Sequence, residues 1–319
     1  MLIASLIVTY GERADFLEKS VNSLVEQGIQ SIFVVDNGSP EVNKKKIAKI
    51  GTKFPKIFKI IELSRNYGSA GGYRSGLKHI VENYEFDYIW CMDDDNVLVG
   101  DALSNLVKNQ ELMRNPLNVL LSNREDRKAY YNSVKFRDES FLVGPVNSFL
   151  GFNIFEKIKN KKNKEHKVDL VSEVFCFPYG GLFISTFLVK LIGYPNIDYF
   201  TYCDDTEYSL RAKKSGARIY ICFDSVVKDI DFNWQAEVKR NFCFDDPYVL
   251  SPAEDKVFYS IRNKIILDKQ FRVDNHWVYS VNLIIYVAKM LLSCILNLRF
   301  KRLLVIKRAI VSGFNYQVD

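Results

Sequence analysis

Three stretches of the chain carry side chains whose types and spacing could do chemistry together. Asp93-Asp94-Asp95-Asn96 follows the apolar run Tyr88-Ile89-Trp90-Cys91-Met92. Adjacent carboxylates repel one another in a low dielectric, so this run needs a cation or full solvation. Hard ions such as Mg2+ or Mn2+ take carboxylate oxygens and share their shell with substrate phosphates; a solvated acidic turn is the alternative. Ser64-Arg65-Asn66-Tyr67-Gly68-Ser69-Ala70-Gly71-Gly72-Tyr73-Arg74 has glycines that permit close backbone approach and leads into a helix, whose N-terminus favours anions. It is neither G-x-G-x-x-G nor a Walker loop, and a tight strand-to-helix turn is the alternative. Asp204-Asp205-Thr206-Glu207 precedes Arg211. Glu207 and Arg211 suit an i,i+4 pair. Asp204 and Asp205 either cap a helix or supply a general base.

The elements that must position these residues follow from periodicity. Leu2–Thr9 is a β-rich apolar run that reads as a first buried strand and not as a signal peptide. Phe16, Leu17, Val21, Leu24 and Val25 recur at helical spacing, with Gly28 as the C-cap. Strands are expected at Ile32–Val35, at about Ile57–Leu63 and at Tyr88–Met92, with a helix near Tyr73–Val81. Strands alternating with helices indicate a parallel sheet covered on both faces. Ligands of such sheets sit outside the carboxyl ends of the strands. Asp36-Asn37, Asn66 to Gly72 and Asp93 to Asn96 each begin just after a strand, so they should converge on one edge. Residues 98–174 are less periodic, and Asn160–Lys164 reads as an exposed loop. Tyr199–Cys203 reads as a strand or extended approach to Asp204, and a helix then carries Tyr208, Leu210 and Arg211 to Gly216. From Ala253 the pattern is purely helical.

The 319 residues, 48% hydrophobic and 26% charged, describe a globular chain. Aromatic residues reach 14%, which suits sugar sites and ordinary cores alike. The net charge of +6 is concentrated in Lys157–Lys167 and Arg299–Arg308. Such charge can attract nucleic acid, a membrane surface or an anionic substrate; no nucleic-acid-binding signature accompanies it, so nucleic acid is the weakest of the three and no nucleic-acid partner is expected. The six cysteines form no C-x-x-C pair, which argues against a zinc site or disulfide framework and for reduced thiols in a cytosolic setting. His79, His166 and His276 read as a helix-face, a loop and a helix-start residue.

The ordered set Thr9, Asp36, Asn66-x-Gly-x-Ala-Gly-Gly, Asp93-Asp94-Asp95, Asp204-Asp205-x-Glu207 and Arg211 resembles the inverting family 2 glycosyltransferases of the GT-A fold. The resemblance covers about residues 2–230, and Phe258-Tyr259-Ser260-Ile261-Arg262-Asn263 also looks like that family's tail. The Asn-x-Gly-x-Ala-Gly-Gly segment with a triple Asp is most similar to galactofuranosyltransferases, with the rhamnosyltransferase branch as near neighbour. It implies an α/β fold: a GT-A, Rossmann-like, mixed and mainly parallel sheet flanked by helices, with a C-terminal helical appendage. The catalytic domain would span 1–250, and 251–319 would associate with membrane or dimerise. The resemblance implies Asp205 as the catalytic base, with Asp204 and Glu207 nearby for acceptor hydroxyls. It places Thr9, Asp36, Asn66, Gly72, Arg74 and Asp94 against a UDP-sugar donor. It implies Mn2+ or Mg2+ on Asp93 and Asp95, with Asp229 standing where the family often has a His.

Val281–Leu298 is close to the length that spans a bilayer. Lys289 in its middle and the basic residues after it favour an interfacial helix; a buried hairpin closing a core or a dimer contact is the other reading. Together these expectations describe transfer of galactofuranose from UDP-galactofuranose to a glycan or lipid-linked acceptor in bacterial cell-surface polysaccharide synthesis, on the inner face of the cell membrane. A dTDP-rhamnose transferase, a metal-dependent nucleotidyltransferase and a non-catalytic binding module are the alternatives, and a homo-oligomer is open.

Overall fold

The computed structural model describes residues 1–158, 164–231 and 246–317. The chain divides into two compact units. Residues 1–137, 166–200 and 204–231 form the first, and the described parts of 138–165, 201–203 and 232–319 form the second.

The first unit is built on β1 (Ile3–Thr9), β2 (Ile32–Asp36), β3 (Phe58–Glu62), β4 (Tyr88–Asp93), β5 (Asn96–Val99), β6 (Val119–Arg124), β7 (Val171–Val174), β8 (Leu182–Ser185) and β9 (Ile219–Asp229). The sheet runs β3-β2-β1-β4-β8-β6-β9-β5, with β7 also on β9. The pairs β3-β2, β2-β1, β1-β4 and β6-β9 are parallel. β8 runs antiparallel to both β4 and β6, and β5 and β7 run antiparallel to β9. β1, β2 and β4 are near-continuous apolar runs because both of their faces are covered. α1 (Ala14–Glu26) buries Leu17, Val21 and Leu24, the face its spacing predicts. Gly28 follows it with φ of +79°, which a left-handed helix end requires. Trp90 and Phe183 are fully buried between the layers.

The register explains the polar edge. Thr9 lies opposite Asp36, and Val8 opposite Asp93. All three parallel strands therefore end their apolar runs at one level. α2 (Glu41–Lys53) and α3 (Gly68–Asn83) complete the crossovers. α3 begins five residues earlier than Tyr73, so the expected Gly-rich turn is largely helix. The reason is packing: a Cβ on Gly72 would stand 2.4 Å from Val8 Cγ1, and one on Gly76 2.3 Å from Leu6 Cδ1. These glycines let the helix lie close against β1.

Tyr199–Cys203 is not a strand. Ile197–Tyr199 is a 3-10 turn, and Phe200, Tyr202 and Cys203 hold φ of 57°, 65° and 61°. Left-handed backbone at three non-glycine residues is costly and persists only where neighbours impose it.

The second unit packs three helices, Glu254–Phe271, His276–Leu296 and Phe300–Asn315, around Ile261, Ile265, Met290, Cys294 and Ile306. Phe149 from the earlier segment enters the same core. Asn263 is fully buried, and its amide donates to the carbonyls of Thr201 (2.7 Å) and Tyr202 (3.0 Å). Lys289 reaches the buried carboxylate of Asp246 at 3.6 Å. The expected loop Asn160–Lys164 lies, but for Lys164, outside the described residues, as does Cys243. Among the described residues no disulfide forms. His79 sits on α3 with its ring edge-on to Phe33, His166 lies in a loop, and His276 opens its helix.

Candidate active site

Every side chain of this site belongs to the first unit. At the end of β1, the Thr9 hydroxyl donates to Asp94 Oδ2 at 2.7 Å. Asp36 and Asn37 are buried beside it at the end of β2. Asp36 accepts from the Ser39 amide at 2.9 Å, closing the turn. Asn37 accepts from the Tyr67 amide and donates to Gly68 O and to Asn66 Oδ1, so it ties the mouth of α3 to β2. Asn66 itself is exposed and also accepts from the Gly68 amide.

The three carboxylates after β4 are held by two arginines. Arg13, the residue before α1, donates Nε to both oxygens of Asp94 at 2.9 and 3.0 Å, Nη2 to Asp95 at 2.9 Å and Nη1 to Asp231 at 2.6 Å. Arg124, ending β6, is nearly inaccessible and donates to Asp93 at 2.8 Å and to both oxygens of Asp229. Arg127 adds a longer contact to Asp229 at 3.6 Å. Asn96 joins the two halves, donating to Asp95 and Asp229. The expected trio Asp93, Asp95 and Asp229 is thus linked through guanidiniums and an amide. Among the described residues no three His, Cys, Asp or Glu side chains are arranged to hold an ion directly.

Environment separates the carboxyls. Burial alone would raise Asp93, but Arg124, Arg127 and a hydrogen bond from Tyr73 hold it below the usual carboxylate range. Burial pushes Asp94 up to about 6 against the pull of Arg13 and Thr9. Burial, then the charges of Asp93 and Asp94, push Asp95 up to about 7. Burial raises Asp229 despite Arg124.

The second acidic motif opens the helix Asp204–Lys214. Asp204 is buried and accepts from Ser69 Oγ at 2.8 Å; burial and the neighbouring Asp205 push it up to about 8. Half-buried Asp205 accepts from the Thr206 amide and hydroxyl through one oxygen, and burial raises it too. Both feel the charge of Asp93. The physical bridge is aromatic: Tyr73 donates its hydroxyl to Asp93 at 2.9 Å and stacks on Tyr179 at 3.8 Å, which is buried beside Asp204 and Asp205. The acids of strand β4 and of the later helix therefore meet in one place.

Other expected site residues also make structural contacts. Glu207 gives both oxygens to Arg211, the i,i+4 pair that its spacing suggests. Arg74 donates to Pro195 O at 3.1 Å. Gly72 seats α3 on Val8. Arg13, Arg124, Tyr73 and Tyr179 were not singled out from the sequence. The one signal for Arg124 was its place after the run Val119-Leu120-Leu121, the same strand-end position as the aspartates.

The family model for glycosyl transferase family 2 matches residues 5–175, more than half of the 319-residue chain. Poly-beta-1,6-N-acetyl-D-glucosamine synthase of Staphylococcus aureus (strain MSSA476) is 23% identical over 246 residues, covering 74% of this chain and 53% of that protein. The Staphylococcus epidermidis protein of the same name is 24% identical over 203 residues, covering 62% and 43%. The chain spans about half the length of these curated relatives. Two solved structures share the fold. GalNAc-T7 with UDP, GalNAc and Mn2+ has a TM-score of 0.55 at 12% identity, over 81% of this chain and 47% of that one. The mannosyltransferase PcManGT of Pyrobaculum calidifontis, with GDP-Man and Mn2+, has a TM-score of 0.52 at 13% identity, over 98% and 87%. With the mixed sheet and its strand-end acids, these matches place the chain in glycosyl transferase family 2, as a glycosyltransferase of the GT-A fold.

Proposed function

We propose that the protein transfers a hexosyl unit from a nucleoside-diphosphate sugar to a hydroxyl of a glycan or lipid-linked acceptor in cell-surface polysaccharide synthesis, with inversion at the anomeric carbon. The observation that carries this reading is the meeting of two acidic motifs, more than 100 residues apart, around the Tyr73–Tyr179 stack. The two motifs sit in different electrostatic settings, as donor binding and proton abstraction require.

The donor's nucleoside would lie along the ends of β1 and β2, against Thr9 and Asp36, with Asn66 and the backbone before α3 lining the approach. Asp93 and Asp95 offer oxygen ligands only, and both are partly open, with side-chain exposures of 34% and 19%. That donor set fits Mn2+ or Mg2+, with Asp229 as a further carboxylate, and both named structural neighbours contain Mn2+. Such an ion would neutralise charge on the departing diphosphate. Asp94, held by Thr9 and Arg13, faces the donor sugar in this reading.

Asp205 accepts the proton of the acceptor hydroxyl while that oxygen attacks the anomeric carbon. The new glycosidic bond forms as the bond to the diphosphate breaks on the opposite face, and the nucleoside diphosphate leaves with the electron pair. A raised carboxyl value suits a base working near neutral pH. No covalent intermediate is needed, so one base suffices. Asp204, hydrogen-bonded to Ser69, and Glu207 flank the acceptor side.

The preferred donor is UDP-galactofuranose, on the strength of the Asn-x-Gly-x-Ala-Gly-Gly and triple-Asp resemblance; dTDP-rhamnose is the second. The names of the curated relatives add an N-acetylglucosamine donor to the panel. The proposed location is the cytoplasmic face of the membrane, as a peripheral protein. Support comes from the exposed apolar side chains Ile284, Leu291, Ile295, Leu304 and Val311 and from the lack of any Asp or Glu in 276–317.

The test is a donor screen with Mn2+ and a lipid-linked acceptor, following release of UDP or dTDP according to the donor. Asp205→Ala and Asp95→Ala should each lower turnover by roughly 10²-fold or more while circular dichroism stays native. Near-normal turnover in either variant removes its assigned role, and pyrophosphate release would favour nucleotidyl transfer instead.

A further inference from the structure

Arg13 spends all three guanidinium nitrogens on carboxylates of the site: Nε on Asp94, Nη2 on Asp95 Oδ2 and Nη1 on Asp231. The other oxygen of Asp95 accepts from Asn96 Nδ2 at 3.2 Å. A metal ion arriving on Asp95 would therefore share that carboxylate with a guanidinium already bonded to Oδ2.

The connected network contains the carboxylates of Asp93, Asp94, Asp95, Asp229 and Asp231 and the guanidiniums of Arg13, Arg124 and Arg127. A divalent ion arriving on Asp95 beside a fixed guanidinium would meet strong repulsion at close range. Release of one arginine would remove that repulsion. Arg124 is locked: its side chain is 3% exposed, and a Cβ on Gly180 would stand 2.6 Å from its Nη1, so backbone closes directly over it. Arg13 is 20% exposed, sits before a helix and lies over the Phe16 ring at 5.0 Å, a face on which its planar head can pivot.

We infer that Arg13 is the resident counter-cation of the acidic cluster. It releases Asp95 when the divalent ion binds and turns the freed N–H groups to the diphosphate that the ion brings. Arg13 is thus a positioning residue that couples metal binding to donor binding. This rests on the transferase reading above.

The experiment is a Mn2+ titration followed by the electron paramagnetic resonance of free Mn2+, with and without UDP, on the full chain. Arg13→Gln should bind Mn2+ alone roughly tenfold more tightly or better, because its competitor is gone. Arg13→Gln should also lose most of the mutual strengthening of Mn2+ and UDP. Arg127→Gln removes the same charge without touching Asp95 and should gain less. Arg13→Lys, which keeps the charge but not the fork, should fall between wild type and Arg13→Gln, and it serves as the readable variant should Arg13→Gln fail to fold. Unchanged or weaker Mn2+ binding in the Arg13 variants, or an equal gain in Arg127→Gln, overturns the exchange. Metal-dependent UDP release by the wild type, run alongside, separates the two levels. Absence of metal-dependent nucleoside-diphosphate release from every donor in the panel overturns the transferase reading, and UDP release with unaltered Mn2+ affinity in the variants overturns this inference alone.

Discussion

Asp95 and Asp204 carry a pH signature. Their carboxyls stand at about 7 and about 8, raised first by burial and then by neighbouring aspartates. The unfolded values lie near 3.9. A group whose folded value is raised contributes stability that is complete below the unfolded value and is lost as pH rises through the folded one. Thermal midpoints without metal should therefore fall from pH 5 to pH 8. Saturating Mn2+ should raise the midpoint more at pH 8 than at pH 6, because ligation needs the deprotonated carboxylate. A metal-induced shift that is equal at both pH values would count against Asp95 as a ligand. The acids themselves were readable from the sequence, since carboxylates placed just past buried strands have few structural uses. Their arginine partners were not. The partners of Arg13 lie 81 to 218 residues away, and an isolated Arg reads as solvated surface until the fold delivers its counter-charges.

α3 shows how elements carry the site. Gly68 opens it at φ of +73°, and a Cβ there would stand 1.9 Å from the carbonyl oxygen of Phe200. The Ala70 amide donates to that same oxygen at 3.1 Å. Helix and loop meet at backbone distance just before Asp204. Gly68→Ala combines left-handed strain with a backbone clash and should cost roughly 3 kcal/mol or more, read as a lower urea midpoint, with turnover falling beyond the loss of folded protein. A midpoint within about 0.5 kcal/mol of wild type would mean that the approach is slack. Strands β1, β2 and β4 and helix α1 were legible because their burial is local and periodic. The turn at Phe200–Cys203 was not, because residues distant in sequence impose its backbone: the Ala70 amide at one end and the Asn263 amide at the other.

At the scale of the molecule, the second unit presents an unusual surface. Its helix His276–Leu296 is long and apolar enough to cross a membrane by length and composition, yet a third of its most apolar window is buried within the fold. Ile284, Leu291, Leu292, Ile295 and Leu296 remain exposed, with Arg299, Lys301, Lys307 and Arg308 exposed close by in sequence. Lys289 pairs with Asp246 and is not part of that basic set. A surface of this kind should seat on anionic vesicles, each basic side chain contributing about 1 kcal/mol. Replacing Lys301, Lys307 and Arg308 together by Glu should abolish co-sedimentation with phosphatidylglycerol vesicles, and raised salt should weaken the wild type. Wild-type binding that is equal on neutral and anionic vesicles would exclude an electrostatic seat. The helical character of this region was legible from its apolar content. The joining of the described parts of 138–165 to it was not, because Phe149 enters that core from more than 100 residues upstream.

The parallel strands have a second consequence. Since β1, β2 and β4 all end at the polar edge, the connections that enter β3 and β4 fall at the opposite rim. Lys56 and Glu85 lie there, exposed, at the ends of β3 and β4 opposite to those that carry the acids. An epitope, a fluorophore or a surface tether introduced after either residue would report on the working enzyme, or immobilise it, with the substrate side left clear.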